Sequence, residues 1–506
     1  MTHSRRLPSG WRRVALATMA LSLLIPGAAL GKAPAGFRTS VEAYITGAPG
    51  TTVIPLITVG EDAGVSGFTF EGIPDGIGIA PVDGHPNQMD VYVAHEQSTV
   101  PFRDERDHQD ASVSRLRVDA SKRNGPVITE AEVPLGPEQG YIRFCSSFMA
   151  GSEHGFDDYT LWLNEESNDQ LARPLGQAGY AVALNTETGA VTPIPGMGRH
   201  NHENTVVIPG GWDELALMSG DDTFSAPSSQ MYLYTAANDD AVIADQGTLW
   251  AFRVTHDSDG EVNAADAFNG ANDYGDMTAN DVWKGEFIRV PDDVADGTAP
   301  AWGANPQAQL ENWSNENNVF QFIRIEDIAY DLHNPRVVYF ADTGEPRAQP
   351  NAGTGRLSRG PSGSDFGFGN GRMFKFVMNA DDPKVVDEFS ILLDADTVPA
   401  AGGAFMTKPD NIDTSSKSLM VQEDADNAKI WQYSFASKAW SIVATVNDPQ
   451  GESSGVVDAS KWLGPGWWIV DVQAHGSDQE VFSAPGALPL VKREDGQLLL
   501  LRVPGS

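Results

Sequence analysis

Basic residues are scarce in this chain. It carries 34 Lys and Arg against 69 Asp and Glu over 506 residues, a formal charge of -35. Such a surface repels phosphate backbones and anionic membranes at long range, which excludes a nucleic-acid binder. It also sets a problem for any anionic substrate, and bound metal ions are the economical answer. Cysteine is almost absent. Cys145 stands alone, so no internal disulfide braces the fold, and its core and bound metals must do so. On residue type alone, a single thiol reads as a small buried hydrophobe before it reads as a ligand. Long helical periods are missing too. With 51 Gly and 32 Pro turns are frequent, which argues against a helical bundle. What remains is ample apolar material, 41% of the residues, enough to exclude a disordered chain.

The first 35 residues read as a secretory signal rather than as part of the fold. Arg5, Arg6, Arg12 and Arg13 precede the apolar stretch 14–25, and small residues follow at 27–33. That apolar core is shorter than the ~20 residues a membrane span needs. Ser4-Arg5-Arg6 leaves both the general secretory and the twin-arginine routes open. The mature protein, residues 36–506, is expected to be periplasmic or secreted, without a membrane span, and a monomer.

Short alternating stretches bounded by Gly, Asp, Asn or Pro recur along the rest of the chain. Leu161-Trp162-Leu163, Met373 to Val377 and Ile430 to Phe435 are examples. Their grammar repeats: an aromatic-rich strand, a polar turn, a second apolar strand. Repeated hairpins over this length predict an all-β fold, a β-propeller of six blades in a single domain over 36–506. The acidic, Gly- and Asn-rich stretches 256–282 and 343–370 read as long loop insertions.

Acidic motifs sit at the strand ends. They are His95-Glu96, Asn164-Glu165-Glu166, His202-Glu203, Asp221-Asp222, Arg324-Ile325-Glu326-Asp327, Lys408-Pro409-Asp410-Asn411 and Glu423-Asp424. Strand ends at one mouth of a propeller converge on its axis. Carboxylates meeting there cannot all stay ionised without cations, and oxygen-rich clusters of this kind suit Ca²⁺. No nucleophile elbow, zinc-protease helix motif or phosphate-binding Gly-rich loop is present. Asp273, Asp276 and Asp281 lack the spacing of an EF-hand and read as a plain polar loop before a surface calcium loop, and His154, His200 and His202 match no usual zinc set.

The order of these motifs resembles the PhoX-type alkaline phosphatase family. The resemblance begins at Ile73-Pro74-Asp75-Gly76 and passes through His95-Glu96 and Arg143-Phe144-Cys145-Ser146-Ser147. It continues through Trp162 to Glu166 and through Gly198-Arg199-His200-Asn201-His202-Glu203, similar to the family's Gly-Arg-Phe-x-His-Glu. Arg324-Ile325-Glu326 and Pro409-Asp410-Asn411 complete it, so the landmarks span residues 73–427. The resemblance implies a propeller holding Ca²⁺ and Fe³⁺ at one mouth. By that analogy Cys145 becomes an iron ligand, since thiolate suits iron better than calcium. Asn164, Glu165, Glu203, Glu326 and Asp410 would complete the coordination, and Arg324 would face the phosphate as the catalytic residue.

The reading is a secreted, metal-dependent phosphomonoesterase acting on small phosphate esters. Two rivals use the same carboxylates: a non-catalytic calcium-binding propeller for adhesion or recognition, and a lactonase-like propeller hydrolase. Neither needs the thiol or the arginine.

Overall fold

Alternating apolar and polar residues put one strand face into a core and leave the other to a neighbouring sheet, and the intervening Gly, Asp and Asn turn the chain back. The computed structural model describes residues 32–97, 110–122, 125–170, 177–223, 229–482 and 491–506. Residues 1–31 of the expected leader therefore lie outside the described residues, while 32–35 belong to the first strand.

In chain order the strands are β1 (Lys32–Phe37), β2 (Ile45–Gly47), β3 (Thr52–Thr58), β4 (Pro74–Pro81), β5 (Gln88–His95), β6 (Ser112–Asp119) and β7 (Val127–Leu135). Next come β8 (Phe144–Ala150), β9 (Thr160–Glu165), β10 (Ala181–Asn185), β11 (Val191–Pro193), β12 (His202–Val207), β13 (Leu215–Asp221), β14 (Met231–Ala236), β15 (Thr248–His256) and β16 (Val282–Arg289). Then follow β17 (Ile325–Asp331), β18 (Asn334–Asp342), β19 (Ala348–Asn351), β20 (Arg356–Arg359), β21 (Arg372–Met378) and β22 (Val385–Asp394). The last are β23 (Pro409–Thr414), β24 (Ser418–Glu423), β25 (Lys429–Ser434), β26 (Ala439–Val446), β27 (Glu452–Asp458), β28 (Trp467–Phe482) and β29 (Val491–Arg502).

These strands form the antiparallel sheets β1-β7-β6-β5-β4, β11-β10-β9-β8, β12-β13-β14-β15-β16-β22-β21-β18-β17, β2-β26-β25-β24-β23 and β27-β28-β29-β3, plus the hairpin β19-β20. The arrangement is propeller-like and all-β, with few and short helices. The inner strands pack in a closed circle: β4 on β8, β8 on β12, β12 on β17, β17 on β23, β23 on β27, and β27 back on β4. Closure is reinforced by the N-terminal β3, which pairs with the C-terminal β29 from Thr52↔Arg502 to Thr58↔Gln497. Among the described residues no helix is long and apolar enough to cross a membrane.

The core lies between neighbouring sheets. Its densest part is aromatic, with Phe252, Phe320, Phe322, Phe340, Phe374, Phe376 and Phe389 in mutual contact and none exposed. The insertion 256–282 is not wholly a surface loop, because Tyr274 is buried against Phe368 and Phe374.

Candidate metal centre

Five strand pairs repeat one device at the same end of the channel. The first residue of the inner strand pairs with the last residue of the second strand: Pro74 with His95, Phe144 with Glu165, His202 with Asp221, Ile325 with Asp342, Pro409 with Glu423. In each case the register then slips. A bulge frees the next two residues of the inner strand from the ladder and re-aims their side chains. The second residues of these strands are Asp75, Cys145, Glu203, Glu326 and Asp410, and all five line one cavity of about 280 Å³. The site is thus one strand position, used five times.

A second contribution comes from the residue just past each second strand. Glu96, Glu166, Asp222, Thr343 and Asp424 donate their backbone N–H to the carbonyls of Ile73, Arg143, Asn201, Arg324 and Lys408, at 2.9–3.0 Å. Four of these five carry carboxylates into the cavity. Ile73, Arg143 and Lys408, each immediately before an inner strand, have φ of 51°, 51° and 49°. Such left-handed backbone is costly, above all for β-branched Ile73, and persists only where the surroundings enforce it. Gly76 has a related reason. A Cβ there would meet Ser147 N at 2.3 Å and the Cys145 carbonyl at 2.5 Å, so only glycine lets β4 close on β8.

Three groups of potential ligand atoms lie within 4.8 Å of one another: Asp75, Glu96 and Cys145; Cys145, Glu166 and Glu203; Glu203, Asp222 and Glu326. Sharing Cys145 and Glu203, they form one continuous arc. Around the cavity stand nine carboxylates, the six of these groups being joined by Asp410, Asp424 and Glu452, against Arg143, Arg324, Lys408 and His475. Arg143 holds Glu96 through Nε at 3.0 Å and Nη2 at 2.6 Å and also meets Glu166. Arg324 grips Asp222 with Nε at 2.8 Å and Nη2 at 2.7 Å. His475 lies between Glu494 (2.6 Å) and Glu452 (3.6 Å); burial opposes its charge, but the two carboxylates push it up to about 11.

The acids outnumber these cations, and the protein's own donors do not satisfy them. Neither oxygen of Glu203 has a hydrogen-bond donor among the described residues, nor has Glu166 Oε1 or Asp410 Oδ1. Burial, with Asp75 and Asp222 nearby, holds Glu203 well above the ordinary carboxylate range, and burial likewise raises Asp75, Glu326 and Asp410. The Cys145 thiol is pushed up by burial and then by Asp75 and Glu203. Multivalent cations reverse every one of these penalties, because each ligand binds as its anion. The donor set of carboxylates with one thiolate fits hard cations and iron together.

Cys145, Glu203, Glu326, Asp410 and Arg324, expected from the sequence, are brought together here. Asn164 and Glu165 are not. Asn164 is spent behind Cys145, donating to Ser146 O at 2.9 Å and accepting from Thr205 Oγ1 at 2.7 Å. Glu165 accepts the N–H of Ile142 at 2.9 Å and of Tyr180 at 3.2 Å. Asp342 and Glu423 brace Ile323 and Thr407 in the same way, both at 2.9 Å. In Glu165-Glu166 and Glu423-Asp424 the first residue braces the loop and the second faces the cavity, whereas in Glu326-Asp327 the order is reversed, Asp327 accepting the N–H of Ile412 at 2.9 Å. The sequence reading did not assign Asp75, Glu96, Glu166 and Asp222 as ligands, although all four lie in its motifs. It missed Glu452, Gln473 and His475 altogether, because the sixth inner strand lacks the acidic signature: its second residue is Ser453, bonded by Gln422.

No family model matches this sequence, and no curated protein matches it either. Among solved structures, the chain is similar to one described as "Pseudomonas fluorescens PhoX in complex with vanadate, a transition state analogue", with a TM-score of 0.63 and 14% identity, covering 94% of this chain and 98% of that one. This likeness shows a PhoX-like fold. Two further structures, a nidogen/laminin complex (TM-score 0.33, 10% identity, 77% of this chain and 92% of that one) and the GH93 α-L-arabinofuranosidase of Fusarium graminearum (TM-score 0.40, 9% identity, 90% and 98%), match more loosely.

Proposed function

We propose that this protein is a metal-dependent phosphomonoesterase on a six-bladed propeller, with Ca²⁺ and Fe³⁺ as its cations. The six-blade count divides the nine-stranded sheet at the β16–β22 pairing and takes one inner strand per blade. One observation carries the functional reading: five inner strands deliver Asp75, Cys145, Glu203, Glu326 and Asp410 to one cavity, with acids left unpaired by the described residues' own donors. The PhoX fold neighbour, described with vanadate bound, makes phosphate transfer the chemistry to test first.

Asp75, Glu96, Cys145, Glu166, Glu203, Asp222 and Glu326 would hold the cations. When bound, these would neutralise the phosphate and supply Lewis-acid activation of the ester and of its nucleophile. Arg324 would donate to the equatorial phosphate oxygens, where charge spreads as the ester breaks. Asp222 fixes the plane of that guanidinium through its two contacts. Arg143 and Lys408 add positive charge at the wall, so an anionic ester meets cationic groups despite the acidity of the whole chain. In this reading the N-terminal leader acts as an export signal that ends before β1 (Lys32–Phe37) rather than at residue 35, with the enzyme working in the periplasm or outside the cell.

Metal analysis of protein purified from its native compartment, paired with p-nitrophenyl phosphate turnover, tests the reading. Iron with calcium and turnover is expected, both lost in Glu203→Ala. Calcium alone without turnover would favour a binding propeller and overturn it.

A further inference from the structure

The other end of the channel holds a second cavity, of about 310 Å³, with largely aliphatic walls and Trp462 on one side. Its polar lining is one-sided. Asp327, Asp413, Asp458 and Glu153 face a single cation, Lys461. Asp413 is fixed in place, accepting the N–H of Asp458 and of Thr414, each at 2.7 Å. Toward the middle of the channel stands Asn204, 3% exposed, whose Oδ1 has no donor among the described residues. Lys461 Nζ lies 5.1 Å from the centroid of the Trp462 ring. Phe148 and Tyr330 line the cavity as well, but the Trp462 face is the one beside which the protein's own ammonium group stands.

We propose that this cavity binds a small organic ammonium ion with an apolar body. The acceptors Asp413, Asp458 and Glu153 would surround its charge, Trp462 would offer a ring face, and the aliphatic walls would take the hydrocarbon. An anion meets more carboxylates than the single Lys461 offsets here, and a neutral alcohol forgoes both the charge and the ring interaction. Burial, with Asp458 alongside, pushes the Asp413 carboxyl up to about 8, and an arriving cation relieves that penalty. The site is separate from the metal-binding arc and does not depend on the phosphatase reading.

Isothermal titration of the full, metal-loaded chain with hexylammonium, hexanol and hexanoate tests it. Hexylammonium binds and hexanoate does not. Trp462→Ala weakens hexylammonium about tenfold, the scale of one well-formed cation–aromatic contact. Lys461→Ala, on an exposed helix and harmless to folding, tightens it a fewfold by removing the competing ammonium. Hexanoate binding as well as hexylammonium, no response to hexylammonium, or weaker binding in Lys461→Ala overturns the proposal.

Discussion

Glu165 accepts the backbone N–H groups of Ile142 and Tyr180, whereas Glu166, one residue on, meets the Arg143 guanidinium at the cavity wall. The two carboxylates therefore answer to different measurements. Glu165→Gln exchanges one acceptor oxygen for a donor that faces an N–H. It should lose about 1–3 kcal/mol of stability while keeping its metal stoichiometry once folded. Glu166→Gln should lower bound metal with a smaller change in thermal midpoint. Elemental analysis beside calorimetry separates them, and equal metal loss in both would contradict the assignment.

Gly76 sets how closely β4 approaches Cys145. Gly76→Ala should cost about 1–3 kcal/mol or more, as overpacking against backbone does. Because Asp75 and Cys145 sit on the two strands it holds together, bound metal should fall as well. Thermal unfolding and metal content read both effects, and a neutral variant would contradict the close approach seen here.

His200 is fully buried, its ring tilted against those of His202 and Tyr232 at centroid distances of 3.7 Å and 4.8 Å, with neither ring nitrogen hydrogen-bonded among the described residues. Burial, and then His202, holds it well below its ordinary value, so it is neutral. An aromatic hydrocarbon of similar outline removes the orphaned polar atoms. His200→Phe should therefore stabilise the protein by about 1 kcal/mol, visible as a raised denaturation midpoint. A lowered midpoint would mean that the imidazole has a partner.

The pH dependence of stability carries a signature of Asp413, raised by burial to about 8 from 3.8. Between these values the folded protein keeps a proton that the unfolded chain has lost. Stability therefore falls as pH rises through that window, by at most about 1.4 kcal/mol per pH unit for this group. Asp413→Asn loses an acceptor and is less stable overall, but its slope between pH 4 and 8 should be shallower than wild type. Chemical denaturation at several pH values checks the difference in slope.

Much of the site was legible because its residues recur at strand ends in a repeating grammar. Glu203, Glu326, Asp410 and Arg324 stood out in that way, whereas Cys145 read as a buried hydrophobe until the family resemblance made it a ligand, and all five reach the cavity. The choice between neighbours did not stand out. Glu165 and Glu166 are chemically identical, and which one braces the loop depends on a bulge whose position no local pattern announces. His475 was invisible for another reason. Its significance arises only from Glu452 and Glu494, which are 23 and 19 residues away along the chain and meet it across β27, β28 and β29.

By itself the sequence determined the architecture's ingredients: alternating short strands, frequent turns, one thiol and an acidic excess needing counter-charge. These follow from composition and period, which act locally and need no partner to be read. Only the tertiary structure decided that five equivalent strand positions share one cavity, that Asn164 and Glu165 turn away from it, and that a second cavity lies at the far end. Those outcomes depend on circular closure of the inner strands and on the bulge in each ladder, and both are properties of contacts between segments distant in the chain.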